Sequence, residues 1–200
     1  MCSSDLAALV TRFAHLADLQ LMDDESPARL AALDAPGLTS SASRAQDAYG
    51  CRMTAAMTRS LNAVHAETPL DFVLLGGDNT DNAQSNELDW VLTLLGSGGG
   101  EIHCDSGVDD DPVKGNNNDP KDPFVTPGLD VPFVWVMGNH DVLNQGVLVI
   151  TEDQRGDVID SDAFTGTRDF SMPGGPVVLG TVPADPARAY LTSTELLTRI

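Results

Sequence analysis

Basic residues are scarce in this chain: 11 lysines and arginines stand against 30 aspartates and glutamates, for a formal net charge of −19. That balance repels nucleic-acid phosphates and anionic membranes, so binding of either by a basic patch is excluded. Cysteine is nearly absent, with only Cys2, Cys51 and Cys104. An odd, scattered set points to neither a disulfide framework nor a zinc cluster, and Cys51, in a helical pattern, reads as a buried thiol. No apolar run approaches the ~20 residues a membrane span needs. Residues 1–5 lack the basic and apolar pattern of a secretory signal. The expectation is a cytoplasmic protein that stays off the membrane. There is no internal repeat.

What is present fits one domain with a sizeable core: 200 residues, 42% hydrophobic. Tyr49, Met53, Met57, Leu61 and Val64 recur at helical spacing within residues 41–67. They predict a crossover helix between parallel strands, with that stripe as its packed face. His65 is expected to cap its end. Leu88, Val91, Leu92 and Leu95 predict a second amphipathic helix, and the glycine run 96–100 closes it rather than forming a phosphate loop. Residues 97–130, rich in Asp, Asn, Pro and Gly, read as a long irregular loop at the rim of a site. The Asp and Asn tracts 109–111 and 116–119 lack calcium-loop spacing and read as solvated, as do Asp23 and Asp24. Ser26 and Pro27 start a short helix. Further on, 147–150 is a candidate strand, 153–170 an irregular segment, 176–182 a strand and 191–195 a capping-box-like start to a terminal helix.

Three strand-like runs empty into metal-capable side chains. Phe72, Val73, Leu74 and Leu75 form a β-prone run, read as buried on both faces, that ends at Gly76 and Gly77 and leads into Asp78, Asn79 and Asp81. Gly77 allows the sharp turn that sets Asp78 at the strand's rim. Residues 131–137 stop at Gly138, and Asn139, His140 and Asp141 follow. Residues 11–17 lead into Asp18, Leu19 and Gln20. Functional groups of α/β sheets gather beyond the carboxyl ends of their strands. One such ending is ordinary turn chemistry, whereas three on neighbouring strands make a site.

The three endings resemble the motifs of calcineurin-like metallophosphoesterases: D-x-H, G-D-x-x-D and G-N-H-[DE], in that order. The second and third are intact here. The first has Gln20 in place of histidine, with His15 in the usual lead-in. The resemblance implies a metallophosphoesterase-type α/β sandwich of mixed β-sheets flanked by helices. It implies hydrolysis of a small phosphomonoester or phosphodiester at a dinuclear centre of two divalent ions, from among Mn²⁺, Mg²⁺, Fe and Zn²⁺. Asp78 would bridge the ions, Asp18 and Gln20 would serve the first, and Asn139 the second. His140 would be the catalytic proton donor or charge stabiliser, while Asp81 and Asp141 would orient their neighbours.

Gln20 either ligates through its amide oxygen, which favours Mn²⁺ or Mg²⁺ over Zn²⁺, or stays out of the coordination shell. The latter keeps open a non-catalytic scaffold that binds a protein partner. The family pattern also continues with a lone histidine and a G-H-x-H motif. This chain has 4 histidines and none beyond His140. Either the chain is a fragment or it is a diverged member that has lost the second half of the site; the expectation is the first, a domain truncated at its C-terminal side, with weak metal binding and little activity by itself.

Overall fold

The computed structural model describes residues 9–29, 44, 46–105, 113–143, 151–159, 167–168, 172, 176–181 and 184–200. The candidate strand at 147–150 lies outside them. In chain order the elements are β1 (Phe13–Leu16), α1 (Gly50–Glu67), β2 (Phe72–Leu75), α2 (Ser85–Leu95), β3 (Gly100–Ile102), β4 (Phe124–Thr126), β5 (Phe133–Trp135), α3 (Glu152–Ile159), β6 (Thr167–Arg168), β7 (Val177–Val178) and α4 (Ser193–Arg199). Short 3-10 turns stand at Pro27–Arg29, Asp47–Tyr49 and Pro186–Arg188. The first is capped as expected, with Ser26 Oγ accepting from Ala28 N at 3.1 Å.

β1, β2 and β5 form a parallel sheet in the order β1-β2-β5, with Phe13 opposite Phe72 and Val73 opposite Phe133. Parallel neighbours need crossovers, and α1 and α2 lie in them. Both helices pack on one face of the sheet, where Val73 and Leu75 are fully buried among Ala55, Val91, Leu94 and Leu95. On the other face Phe72 and Leu74 are only partly covered, and Phe13, Val134 and Val136 are about half exposed. The reading of β2 as buried on both faces thus holds for one face. α4, begun by Thr192 with its Oγ1 accepting from Glu195 N, packs Leu196 against Leu88 and Trp135.

The buried stripe of α1 is the expected one only in part, since Leu61 packs against the core but the most buried residues are others. Cys51, Thr54, Ala55 and Thr58 face the core, while Tyr49, Met53 and Val64 are exposed. Both stripes have helical spacing. Small side chains won because they let the helix backbone sit close to α2, where Thr58 Oγ1 reaches Leu94 O at 3.4 Å. His65 does not cap the helix; its Nδ1 accepts from Leu70 N at 3.0 Å and ties the turn to β2.

Residues 97–130 are not structureless, because β3 and β4 pair antiparallel across them. Cys51 and Cys104 form a disulfide between α1 and this excursion, which corrects the buried-thiol reading. The two are 53 residues apart, so only the folded chain brings them together. Residues 152–159 are helical rather than irregular, and within the expected strand 176–182 Val177–Val178 pairs antiparallel with Thr167–Arg168. Among the described residues no helix is long and apolar enough to cross a membrane.

Asp23 and Asp24 are not solvated either. With Glu25 and Ser26 they form a buried turn. Asp23 Oδ2 accepts from Arg188 Nε and from Asn86 Nδ2, both at 2.8 Å. Glu25 Oε2 lies 3.7 Å from Arg188 Nη2, and Asp24 Oδ1 lies 2.5 Å from Lys121 Nζ. Arg188 is fully buried. Removing one partner of a buried pair leaves a charge without compensation, at about 3–5 kcal/mol. Arg188→Met should therefore lower unfolding free energy in urea by about that much; an unchanged midpoint would contradict the pairing.

Candidate functional site

The parallel strands β1, β2 and β5 release their chains at one edge. β1 and β2 part after Leu16 and Leu75 and pair again at Leu21 and Thr80. Between those points Asp18 N donates to Gly77 O (3.0 Å), Gln20 N to Asp78 O (2.8 Å) and Leu21 N to Asn79 O (3.0 Å). Asp18, Gln20 and Asp78 hold left-handed backbone conformations, at φ 57°, 42° and 52°. Such conformations are uncommon for residues with a Cβ and persist where surrounding contacts over-determine them. The stitched backbone is that constraint here.

Two glycines allow the third loop to come in. Gly77 has φ 103°, and a Cβ on it would meet Gly138 N at 2.8 Å. A Cβ on Gly138 would lie 2.0 Å from Asp78 Oδ1. Asp78 Oδ1 accepts from His140 N at 2.9 Å, so one hydrogen bond joins the second and third motifs. Asp141 secures the same junction from below. Its Oδ1 accepts from Asn79 N and Thr80 N, both at 2.9 Å, and its Oδ2 from Gly138 N at 2.9 Å. The carboxylate is fully buried, so these donors replace the water it has lost.

His140 Nδ1 lies 2.7 Å from Asp81 O and 3.6 Å from Asp81 Oδ1. A carbonyl only accepts, so Nδ1 carries a proton and Nε2 is left for other partners. Asp81 Oδ1 also lies 3.4 Å from Arg44 Nη2. Arg44 Nη1 donates to Gln20 Oε1 at 3.0 Å. Asp18 and Asn139 are exposed at the rim, and neither side chain has a partner among the described residues. The structure thus brings Asp18, Gln20, Asp78, Asp81, Asn139, His140 and Asp141 to one edge. Sequence reasoning missed Arg44, which carries no motif, and Thr80, whose N–H and Oγ1 both donate to Asp141; it named Asn79 for its side chain, whereas the backbone N–H is what binds Asp141.

The resemblance implies divalent ions, and the fit is uneven. Among the described residues no cluster of three or more His, Cys, Asp or Glu side chains is arranged to hold a metal. Asp18, the second oxygen of Asp78 and the Asn139 amide are uncommitted oxygen donors of the kind Mg²⁺ and Mn²⁺ take, with water completing the shell. In donor chemistry they suit a hard ion. Gln20 does not fit. A cation ligated at ~2.1 Å by its Oε1 would sit within about 5 Å of the guanidinium. At an effective dielectric of ~20, a doubly charged ion and a guanidinium that close repel by roughly 6–7 kcal/mol.

Behind Asp81, Glu87 is fully buried and receives Asn82 N and Asn82 Nδ2, both at 2.7 Å, and Asp23 N at 3.2 Å. Burial, and then the charge of Asp81, push its pKa up to about 8.

The calcineurin-like phosphoesterase family matches residues 11–195, and the chain belongs to it. No curated protein and no solved structure matches the chain.

Two outcomes follow from this geometry. Gly138→Ala drives a methyl group into Asp78; the variant should lose divalent-metal affinity by calorimetry and about 1–3 kcal/mol of stability, and wild-type values in both would contradict the close approach. For Glu87 the folded pKa of about 8 exceeds the ordinary 4.5, so the folded state binds the extra proton between those values. Its stabilisation is full below the lower value and is lost as pH rises toward the upper one. The thermal midpoint should fall from about pH 5 to pH 8, and Glu87→Gln should flatten that fall; an equal slope in the variant would show that another group is responsible.

Proposed function

We propose that the protein is a metal-dependent phosphoester hydrolase acting on a small phosphomonoester or phosphodiester. The observation that carries this reading is the His140 N–Asp78 Oδ1 hydrogen bond, which unites a candidate metal ligand and a candidate proton donor at the edge where Asp18 and Asn139 also emerge. Asp18, Asp78 and Asn139 would hold the ion. When bound, it would lower the pKa of a water and neutralise phosphoryl charge.

The chain's own groups supply the rest. In the imidazolium form His140 donates Nδ1–H to Asp81 O and keeps Nε2–H for the leaving oxygen. Asp81, nearly inaccessible to solvent, fixes the ring through its carbonyl oxygen at 2.7 Å. Asp141 and the two loop glycines hold the loops against one another, so donor and metal ligands keep one geometry. A dinuclear centre bridged by Asp78 is the finer expectation, and its first position would have to do without Gln20. The rival reading, a scaffold that binds a protein partner, draws on the same commitment of Gln20 to Arg44. The Cys51–Cys104 disulfide supports an oxidising compartment over the cytoplasm.

The test is hydrolysis of mono- and bis-aryl phosphates by the full-length protein with Mn²⁺. Asp78→Asn should lose bound metal and turnover together. His140→Asn should keep its metal and lose about 10²–10⁴-fold in kcat. Turnover undiminished in both variants would sink this site; tight metal binding with no turnover on either ester class would favour the scaffold.

A further inference from the structure

Arg44 stands where the resemblance places the surroundings of a first metal ion, and its contacts define what it does there. Its Nη1 donates to Gln20 Oε1 at 3.0 Å. Its Nη2 lies 3.4 Å from Asp81 Oδ1 and 3.7 Å from Met22 Sδ. Its Nε lies 3.1 Å from Asp47 Oδ1, and its backbone N donates to Asp47 Oδ2 at 2.8 Å. The side chain is 25% exposed, so it is held from several sides yet open to solvent. A guanidinium has five N–H donors. Among the described residues the second Nη1 hydrogen has no acceptor, and one Nη2 contact is only a thioether, a weak one. Donors therefore remain on a fixed planar cation beside Asp81, the residue that also holds His140.

Gln20 supports the same reading. Imidazole at this position is a metal ligand in the resemblance, and a neutral imidazole nitrogen has one lone pair to give. An amide oxygen can instead accept from a guanidinium without a proton of its own, and Gln20 does so here. A chain whose net charge is −19 needs positive charge at a phosphate site, and an arginine supplies it without a metal.

We propose that Arg44 replaces one metal ion of the expected dinuclear centre: the guanidinium, clamped by Gln20, Asp47 and Asp81, binds a phosphoryl oxygen, and a single divalent ion serves Asp18, Asp78 and Asn139. This rests on the hydrolase reading above and narrows it to a one-metal, one-arginine site. Gln20 is then a positioning residue for Arg44.

The test uses the full-length protein, Mn²⁺ and inorganic phosphate as the probe. Mn²⁺ titration should reach one ion per chain, with the electron-paramagnetic spectrum of an isolated ion. Arg44→Gln should weaken phosphate binding to the Mn²⁺-loaded protein by about 10–100-fold with the metal count unchanged, and Arg44→Lys should recover part of it. If Arg44→Gln fails to fold, Gln20→Ala removes only the clamp; it should weaken phosphate several-fold and leave the metal in place. Two Mn²⁺ per chain with a coupled spectrum, one of them lost in Gln20→Ala, would overturn the proposal and leave the hydrolase reading standing. So would phosphate affinity within twofold of wild type in Arg44→Gln. Arg44-dependent phosphate binding beside one Mn²⁺, with no ester hydrolysis, would support the proposal and refute the hydrolase.

Discussion

Asp141 closes a gap that the parallel sheet leaves open. Three strands that end side by side expose unpaired backbone N–H groups where their loops diverge, and buried N–H groups need acceptors. The Asp141 carboxylate supplies them, taking Asn79 N and Thr80 N on one oxygen and Gly138 N on the other. Hydrogen bonds to a charged acceptor are worth about 1.5–3 kcal/mol each, more than neutral ones. The bonds cross from the β5 loop to the β2 loop, so they hold the loops in register rather than merely bracing one turn. Asp78 takes its left-handed conformation inside that frame, and Gly138 leaves room for its oxygen. The position of every candidate ligand except Asp18 and Gln20 depends on this junction.

The same edge shows how far pattern reading reaches. The three runs that become β1, β2 and β5 are short, largely apolar and stopped by glycine or a polar turn, and local rules suffice for them. The Asp78 and Asn139 loops were legible because glycine and carboxylate spacing is local too. Arg44 was not: it lies outside any motif, and its part comes from a contact with Gln20 across 24 residues. The packed face of α1 misled for a related reason. Bulky residues define a conspicuous stripe, but the helix approaches its neighbour through small ones, and only the neighbour decides between them.

Charge was the least legible property. Asp23, Asp24 and Glu25 look like a solvated acidic turn until Lys121, 97 residues from Asp24, and Arg188, 165 residues from Asp23, are folded against them. With so few cations in the chain, placing these two in the interior is a specific use of them. They join the turn after β1 to the excursion that carries β3 and β4 and to the segment before α4. The Cys51–Cys104 bridge joins α1 to that excursion as well, so a stretch that reads as a free rim loop is held at several points.

The central claim is that the loops after β1, β2 and β5 form one metal-binding edge. Paramagnetic broadening of amide resonances on sub-stoichiometric addition of Mn²⁺ tests it directly. Signals from Asp18, Asp78, Asn139 and His140 should be lost first, with those of the amide-rich stretch Asn116, Asn117, Asn118 and Asp119 unaffected at the same ratio. Broadening centred on that stretch, with the strand-end loops untouched, would contradict it.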